Sequence, residues 1–343
     1  MTKGRFLYPI ILVSITFLFV TLSACSLELR YGPYSGHQMG NVPSSESGPT
    51  LAEQLGFTKD SIIVIVHADD IGMHIDQTDG AFEAMQYGMV KTGSIMVPCP
   101  DFDRTAKIWT KNPNLDLGIH LTLNSDWGEK YGWGGVLPKS KVPSLYNSKG
   151  IMWRKPNKLM ANMDVEEALM ELEVQILKVL KAGLKPTHID GHYGNYYMNY
   201  YLAEGVRNLS KKYNLPMKPH YELREEMRGQ GYVFPDTLWM FLILYGEGSQ
   251  PEIRKKVYDN WLRKLKPGVH ELLIHPSLMG EEWANILGRP NSYLRLGDYK
   301  YWTSSETMDL ADELGIIFIG YRELQKLQTK NWGLETDSVH LEK

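Results

Sequence analysis

Cysteine is almost missing from this chain: two residues, Cys25 and Cys99, occur in 343. A disulfide framework is therefore excluded as a source of stability. No Gly-x-Gly-x-x-Gly and no Walker-type loop follows the first apolar run, so nucleotide binding has no support. No basic run resembles a nucleic-acid patch, and the formal net charge is −3. No internal repeat is present. What remains is a globular composition, 43% hydrophobic and 22% charged, which argues against wholesale disorder. The length suits one large domain of the α/β-barrel class or two ordinary ones. The 20 Tyr and 9 Trp suit stacking on sugar faces as well as ordinary packing.

The one long apolar run is N-terminal. Lys3 and Arg5 precede Phe6–Ala24, which ends in Leu22-Ser23-Ala24-Cys25. Nineteen residues could span a bilayer as an uncleaved anchor. Small residues directly before a cysteine favour a bacterial lipoprotein signal instead, residues 1–24, cut before a lipidated Cys25. That predicts a chain tied to the bacterial cell envelope, periplasmic or surface-exposed, touching the membrane only through its lipid. Losing Lys3 and Arg5 and no acidic residue moves the charge from −3 to −5. Residues 25–58, rich in Ser, Gly and Pro, read as a flexible tether. With Cys25 lipidated, Cys99 stands alone between two prolines and reads as a small buried residue.

Beyond the tether, short apolar runs alternate with helical stretches. Strands are expected over Ile62–His67, Ser94–Val97, Leu117–Leu123, Thr187–Asp190, Glu271–His275 and Ile316–Ile319. Helices are expected near 75–88, 103–111, 164–182, 199–213, 250–265, 304–314 and 321–327. The third has Asp164 as N-cap, Glu167 to complete a capping box and Gly183 as its stop. Alternating units imply a parallel sheet, open or closed, as a single catalytic domain over 59–327 with a tail over 328–343. Residues 124–160, rich in Gly, Trp, Lys and Pro, are too long for a plain connection and read as an insertion over the site.

Sites in such folds gather at the carboxyl ends of the strands. Two adjacent carboxylates, Asp69 and Asp70, follow the run Ser61–Val66. Like charges there repel. A cation would offset the cost, as would a division of labour between a metal ligand and a proton carrier. Of ten histidines, five lie at or just beyond expected strand ends: His67, His120, His188, His192 and His275. A single strand histidine is more often a hydrogen-bonded core residue than a ligand, and His67, His188 and His270 are read that way. Asp190 reads equally as a loop cap. Asp70, His120 and His192 come from separate strands and form a common divalent-metal set with room for water; no spacing in the sequence proves that they meet.

The motifs Ala68-Asp-Asp-Ile-Gly72, Gly118-Ile-His-Leu-Thr-Leu123, Pro186-Thr-His-Ile-Asp-Gly-His192 and His275-Pro-Ser277 occur in this order. With Thr92–Val97 and the segment Arg289–Ser304, they resemble the YdjC-like carbohydrate deacetylases, the family of chitooligosaccharide deacetylases, over about residues 60–325. The resemblance implies a distorted (β/α) barrel and removal of N-acetyl groups from oligosaccharides such as those of N-acetylglucosamine. It implies one divalent metal ion, Zn or Mg, on Asp70, His120 and His192, with Asp69 as general base and His275 as general acid. The chain departs from the family pattern at Ile71, at Ser277 and after His192, where later histidines are absent. The aromatic stretch Tyr193–Tyr201 stands there instead and reads equally as a remodelled binding surface or as helix packing. Two rivals remain: another metal-dependent hydrolase of the same architecture, and a surface lipoprotein that binds glycans without turning them over. A homodimer is compatible with all three.

Overall fold

The computed structural model describes residues 48–219, 223–241 and 251–334. The expected signal peptide, the lipid site at Cys25, most of the tether and the end of the tail lie outside these residues. Among the described residues no helix is long and apolar enough to cross a membrane.

Among the described residues, seven strands form one sheet: β1 Ile62–Ile71, β2 Thr92–Ile95, β3 Leu117–Leu121, β4 Ile189–Gly191, β5 Thr237–Met240, β6 Gly268–Ile274 and β7 Ile316–Phe318. Every pairing is parallel, in the order β4-β3-β2-β1-β6-β5. β6 runs along one edge of β1. The other edge is shared end to end, β7 against Ile62–Val64 and β2 against His67–Ile71. Among the described residues no bridge joins β4 to β5, so the sheet is a half-barrel wrapped by helices. That opening is how the expected barrel is distorted. Burial on both faces explains why β1 and β6 read as near-continuous apolar runs.

Alternation along β1 sorts its residues. Val64, Val66 and Ala68 pack into the main core under the helices, while Ile63 and Ile65 join Val233, Val269, Ile319 and Leu324 in a smaller one. His67 and Asp69 continue the second face upward. β1 does not stop at His67 as expected but runs through both aspartates to Ile71. It does so because Ile71 still pairs with Ile95 and donors still meet its backbone: Met96 N donates to Ile71 O at 2.7 Å.

Boundaries at both ends shift outward. The helix Leu51–Gln54, inside the stretch assigned to the tether, buries Ala52 against the smaller core, with Phe57 packed beside it. The last helix, Tyr321–Asn331, passes residue 327 and buries Gln328 and Thr329. The helix Val165–Lys181 is capped as expected by Asp164, which accepts from Glu166 N and Glu167 N, and it stops at Gly183 with φ +74°. The reciprocal half of the capping box is not made. Glu167 Oε2 accepts instead from Ser144 N and Oγ, at 2.8 and 2.6 Å, tying the helix to the insertion.

The same helix holds the insertion through Glu171, which is fully buried. Its two oxygens accept from Val136 N and Leu137 N, both at 2.8 Å, and from Gln175 Nε2 at 2.9 Å. Gly135 allows this approach, since a Cβ there would lie 2.7 Å from Glu171 Oε2. Glu171→Ala leaves the backbone N–H groups of Val136 and Leu137 without a partner, while Gln175 Nε2 keeps its bond to Thr122 O. It is expected to cost about 2–4 kcal/mol of stability, read from the denaturant midpoint.

Candidate active site

The site sits where β1, β3, β4 and β6 end. Two consecutive aspartates on a regular strand would point to opposite faces. Here the pairing with β2 shifts register between Ala68 and Ile71, and Asp70 adopts φ +64°. This break turns both carboxylates toward one centre. A left-handed, non-glycine residue costs of order 1–3 kcal/mol and concentrates at functional sites. A second break follows His192: Tyr193 and Gly194 have φ +53° and +60°, and the Tyr193 ring lies 4.5 Å from that of His192.

Asp70, His120 and His192 meet. Asp70 Oδ1 is 3.5 Å from His120 Nε2 and 3.2 Å from His192 Nδ1, and the two nitrogens are 3.3 Å apart. All three residues are at most 4% exposed. Ligands about 2.0–2.1 Å from one cation lie roughly 3.3 Å from each other in a tetrahedral set, so the triangle has the right size. Asp70 Oδ1 is buried without a hydrogen-bond partner. The remaining ring nitrogens are occupied. His120 Nδ1 lies 2.9 Å from Asp190 Oδ1 and 3.1 Å from Ser94 Oγ, and His192 Nε2 lies 2.8 Å from Asp126 Oδ1. Each imidazole is thus anchored behind and offers its other nitrogen to the centre. Among the described residues, Asp70, His120 and His192 form one of three buried His/Asp groups that could hold a metal ion.

Charge supports the same reading. Burial disfavours a charged His120, but Asp190, Asp69 and Asp70 outweigh it and raise its pKa well above the usual imidazole range. Burial likewise opposes charge on His192, and Asp126 and Asp70 push it up to about 9. Asp70 is held well below the usual carboxylate range because Arg295, His120 and His192 together outweigh burial. The pocket favours positive charge at the point where the three ligand atoms converge.

Asp69 is buried beside this triangle, within 4.8 Å of ligand atoms of His120 and Asp190. His275 lies across it, Nε2 3.8 Å from Asp70 Oδ2. Its backbone N donates to Asp298 Oδ2 at 2.8 Å, and burial lowers its pKa. His270 is buried away from this centre, bonded to Thr237 Oγ1 and Lys266 O, as a core histidine. Cys99 is buried and unpaired.

Two residues escaped the sequence. Arg295, on the helix Arg289–Trp302, donates from Nη2 to Asp70 Oδ2 at 2.7 Å and from Nη1 to Gln77 Oε1 at 2.7 Å. Asp126 belongs to the insertion, which therefore reaches the centre through His192. The insertion also covers the rim: Tyr131 Oη donates to Met73 O at 2.9 Å and its ring packs on Trp283. The aromatic stretch divides. Tyr196 and Tyr197 are buried, with hydroxyls 2.9 Å apart, whereas Tyr200 and Tyr201 stand exposed at the start of a helix. Asp126→Asn keeps the size but not the charge behind His192. Metal affinity is expected to fall by roughly 10–100-fold, measured by competition with a chelator.

The profile of the YdjC-like protein family matches residues 63–313. A carbohydrate deacetylase of Enterococcus faecalis is 27% identical over 273 residues, spanning 76% of this chain and 97% of its own. A carbohydrate deacetylase of Geobacillus stearothermophilus is 27% identical over 267 residues, spanning 77% and 98%. A crystal structure of an Enterococcus faecalis protein with a provisional assignment to cellobiose-phosphate cleavage superposes with a TM-score of 0.64 at 25% identity. The match covers 77% of this chain and 99% of that one. With the family profile matched over most of its folded length, the chain belongs to the YdjC-like family.

Proposed function

We propose that this protein is a metal-dependent hydrolase that removes N-acetyl groups from acetylated oligosaccharides. One observation carries the reading: Asp70 Oδ1, His120 Nε2 and His192 Nδ1 converge, with Asp69 and His275 beside them. The names of the relatives, each matched over nearly its full length, support the carbohydrate substrate.

Asp70, His120 and His192 hold the cation, which when bound polarises the acetamide carbonyl and lowers the pKa of water. Asp69 removes a proton from the attacking water. His275 gives a proton to the departing amine nitrogen as the carbon–nitrogen bond breaks, leaving acetate and a free amine. Burial makes the His275 imidazolium a stronger acid for that transfer. Arg295 fixes Asp70 from behind, so a single oxygen faces the centre.

The test is incubation of the full chain, supplied with Zn or Mg, with N-acetylglucosamine oligomers, read as free acetate. Release from O-acetyl esters alone would make the protein an esterase of the same architecture. Unchanged glycan with retained binding would make it a non-catalytic binder. We further propose, from the Leu-Ser-Ala-Cys sequence alone, that Cys25 carries the lipid that ties the chain to the cell envelope. Cys25→Ser should abolish fatty-acid labelling, and equal labelling of both proteins would overturn this.

A further inference from the structure

Beneath the site lies a second layer of buried polar side chains that the proposed chemistry does not use: His67 on β1, Glu271 on β6, His188 just before β4, and Lys218. His67, His188 and Asp190 are spaced like a metal group. Lys218 already places a cation there, its Nζ 3.1 Å from Asp190 Oδ2 and 3.2 Å from Glu271 Oε1. These two carboxylates outweigh burial and keep it charged. The layer is an ion network of side chains, and its protons can be counted.

The count starts at Asp116. Its Oδ2 accepts from Arg322 N at 2.8 Å, and its Oδ1 accepts from the hydroxyls of Thr92 at 3.0 Å and Thr187 at 2.5 Å. A threonine has one hydroxyl proton; burial raises the Asp116 pKa, but with Arg322 N and Thr92 already donating to its oxygens the short bond takes the Thr187 proton. His188 Nδ1, 3.0 Å from Thr187 Oγ1, must then donate. Burial holds the His188 pKa well below the usual range, so it carries one ring proton and its Nε2 accepts. The 3.2 Å contact between His188 Nε2 and His67 Nε2 therefore needs its proton on His67.

The other edge of His67 gives the same answer. Nδ1 lies 2.7 Å from Glu271 Oε1. Lys218, His67 and Tyr321 outweigh burial and keep Glu271 ionised, and its Oε2 accepts from Tyr321 Oη at 2.8 Å. An ionised carboxylate only accepts, so Nδ1 donates. Lys218 Nζ is 3.4 Å from that nitrogen but directs its protons to the carboxylates. Both ring nitrogens of His67 thus donate, which makes the ring a cation. Nε2 stands 3.5 Å from Asp69 Oδ1, a buried oxygen with no hydrogen-bond partner. Alternation on β1 puts His67 and Asp69 on one face.

We propose that His67 is a positioning residue for Asp69, a buried imidazolium locked between Glu271 and His188 whose charge, 3.5 Å from Asp69 Oδ1, holds the carboxylate before the metal ligands without a hydrogen bond to it. This rests on the role given to Asp69 above. Both Glu271 and His188 keep other partners when His67 is replaced, since Lys218 and Tyr321 bond Glu271 and Thr187 bonds His188.

The experiment compares the full-length wild type with His67→Gln in metal content, KM and kcat for acetate release from an N-acetylglucosamine oligomer. It also records the ring nitrogen-15 resonances of His67 in the wild type at neutral pH. Metal stoichiometry and KM should be unchanged while kcat falls about 100-fold, the scale of a misplaced catalytic group. The nitrogen spectrum should show both ring nitrogens protonated. A wild-type kcat in His67→Gln, or a His67 with one proton, overturns the inference. A fall in metal content equal to the fall in kcat also overturns it, because a merely structural role would do that. Should His67→Gln not fold, the proton count in the wild type decides. A wild type that releases no acetate overturns the deacetylase reading instead.

Discussion

Asp70→Asn should leave a folded protein that no longer retains its metal and releases acetate only at background. The substitution removes one charge and one ligand oxygen from the triangle with His120 and His192. It leaves the backbone alone, because asparagine tolerates the left-handed conformation that Asp70 adopts at φ +64°. The change also strips Arg295 of its anionic partner. That guanidinium is largely buried, so an uncompensated charge adds a stability cost of about 3–5 kcal/mol. Removal of an outer hydrogen-bond partner costs roughly 10–100-fold in metal affinity, and loss of a ligand should exceed that. Metal analysis after dialysis, a thermal unfolding curve and acetate release together read the result. Loss of activity with full metal content would move Asp70 out of the ligand set.

Much of this centre could be read from the chain because local pattern and strand ends coincide. His120 sits in Gly118-Ile-His-Leu, where apolar neighbours pack outward and the histidine points inward. Five of the seven strands carry runs apolar enough to show their period, and β4 is marked by its polar residues. β5 was missed: Thr237–Met240 is a short, half-buried strand at the sheet edge, without the clean apolar run that marks β1. The helix Arg289–Trp302 was not predicted either, since Pro290, Gly297 and interspersed tyrosines blur its period. Yet it carries Arg295, 225 residues from its partner Asp70. No local signal encodes such a pairing, nor the 66-residue reach from Asp126 to His192. The break in β1 at Asp70 was equally hidden, because positive φ at a non-glycine is imposed by the surrounding packing. His67 shows the limit most clearly. Reading it as a core histidine predicted its burial, but only the fold brings hydrogen-bonding partners to both its ring nitrogens.

Asp69→Asn should separate proton transfer from metal binding. Asp69 lies beside the ligand triangle, and its Oδ1 has no hydrogen-bond partner, so the oxygen is free to accept a proton from water. Its neighbours constrain where it points: His67 Nε2 stands 3.5 Å away, and Gln77 Nε2 donates to the Asp69 carbonyl at 3.3 Å. Asparagine keeps size and backbone but offers no carboxylate. With Asp70, His120 and His192 intact, metal content should stay near stoichiometric. The rate constant kcat should fall by roughly 10²–10⁴, the usual scale for general acid–base catalysis. KM should change little, since the acetamide carbonyl does not need Asp69 to bind. A rival ligand set exists in the geometry, because Asp69, His120 and Asp190 also lie within 4.8 Å of one another. That set predicts the opposite outcome, metal lost in Asp69→Asn and retained in Asp70→Asn. His120 argues against it. Its Nδ1 is engaged by Asp190, so the nitrogen facing the centre is Nε2, which looks toward Asp70. Metal content measured on both single variants decides which carboxylate holds the ion, and acetate release then decides which one moves the proton.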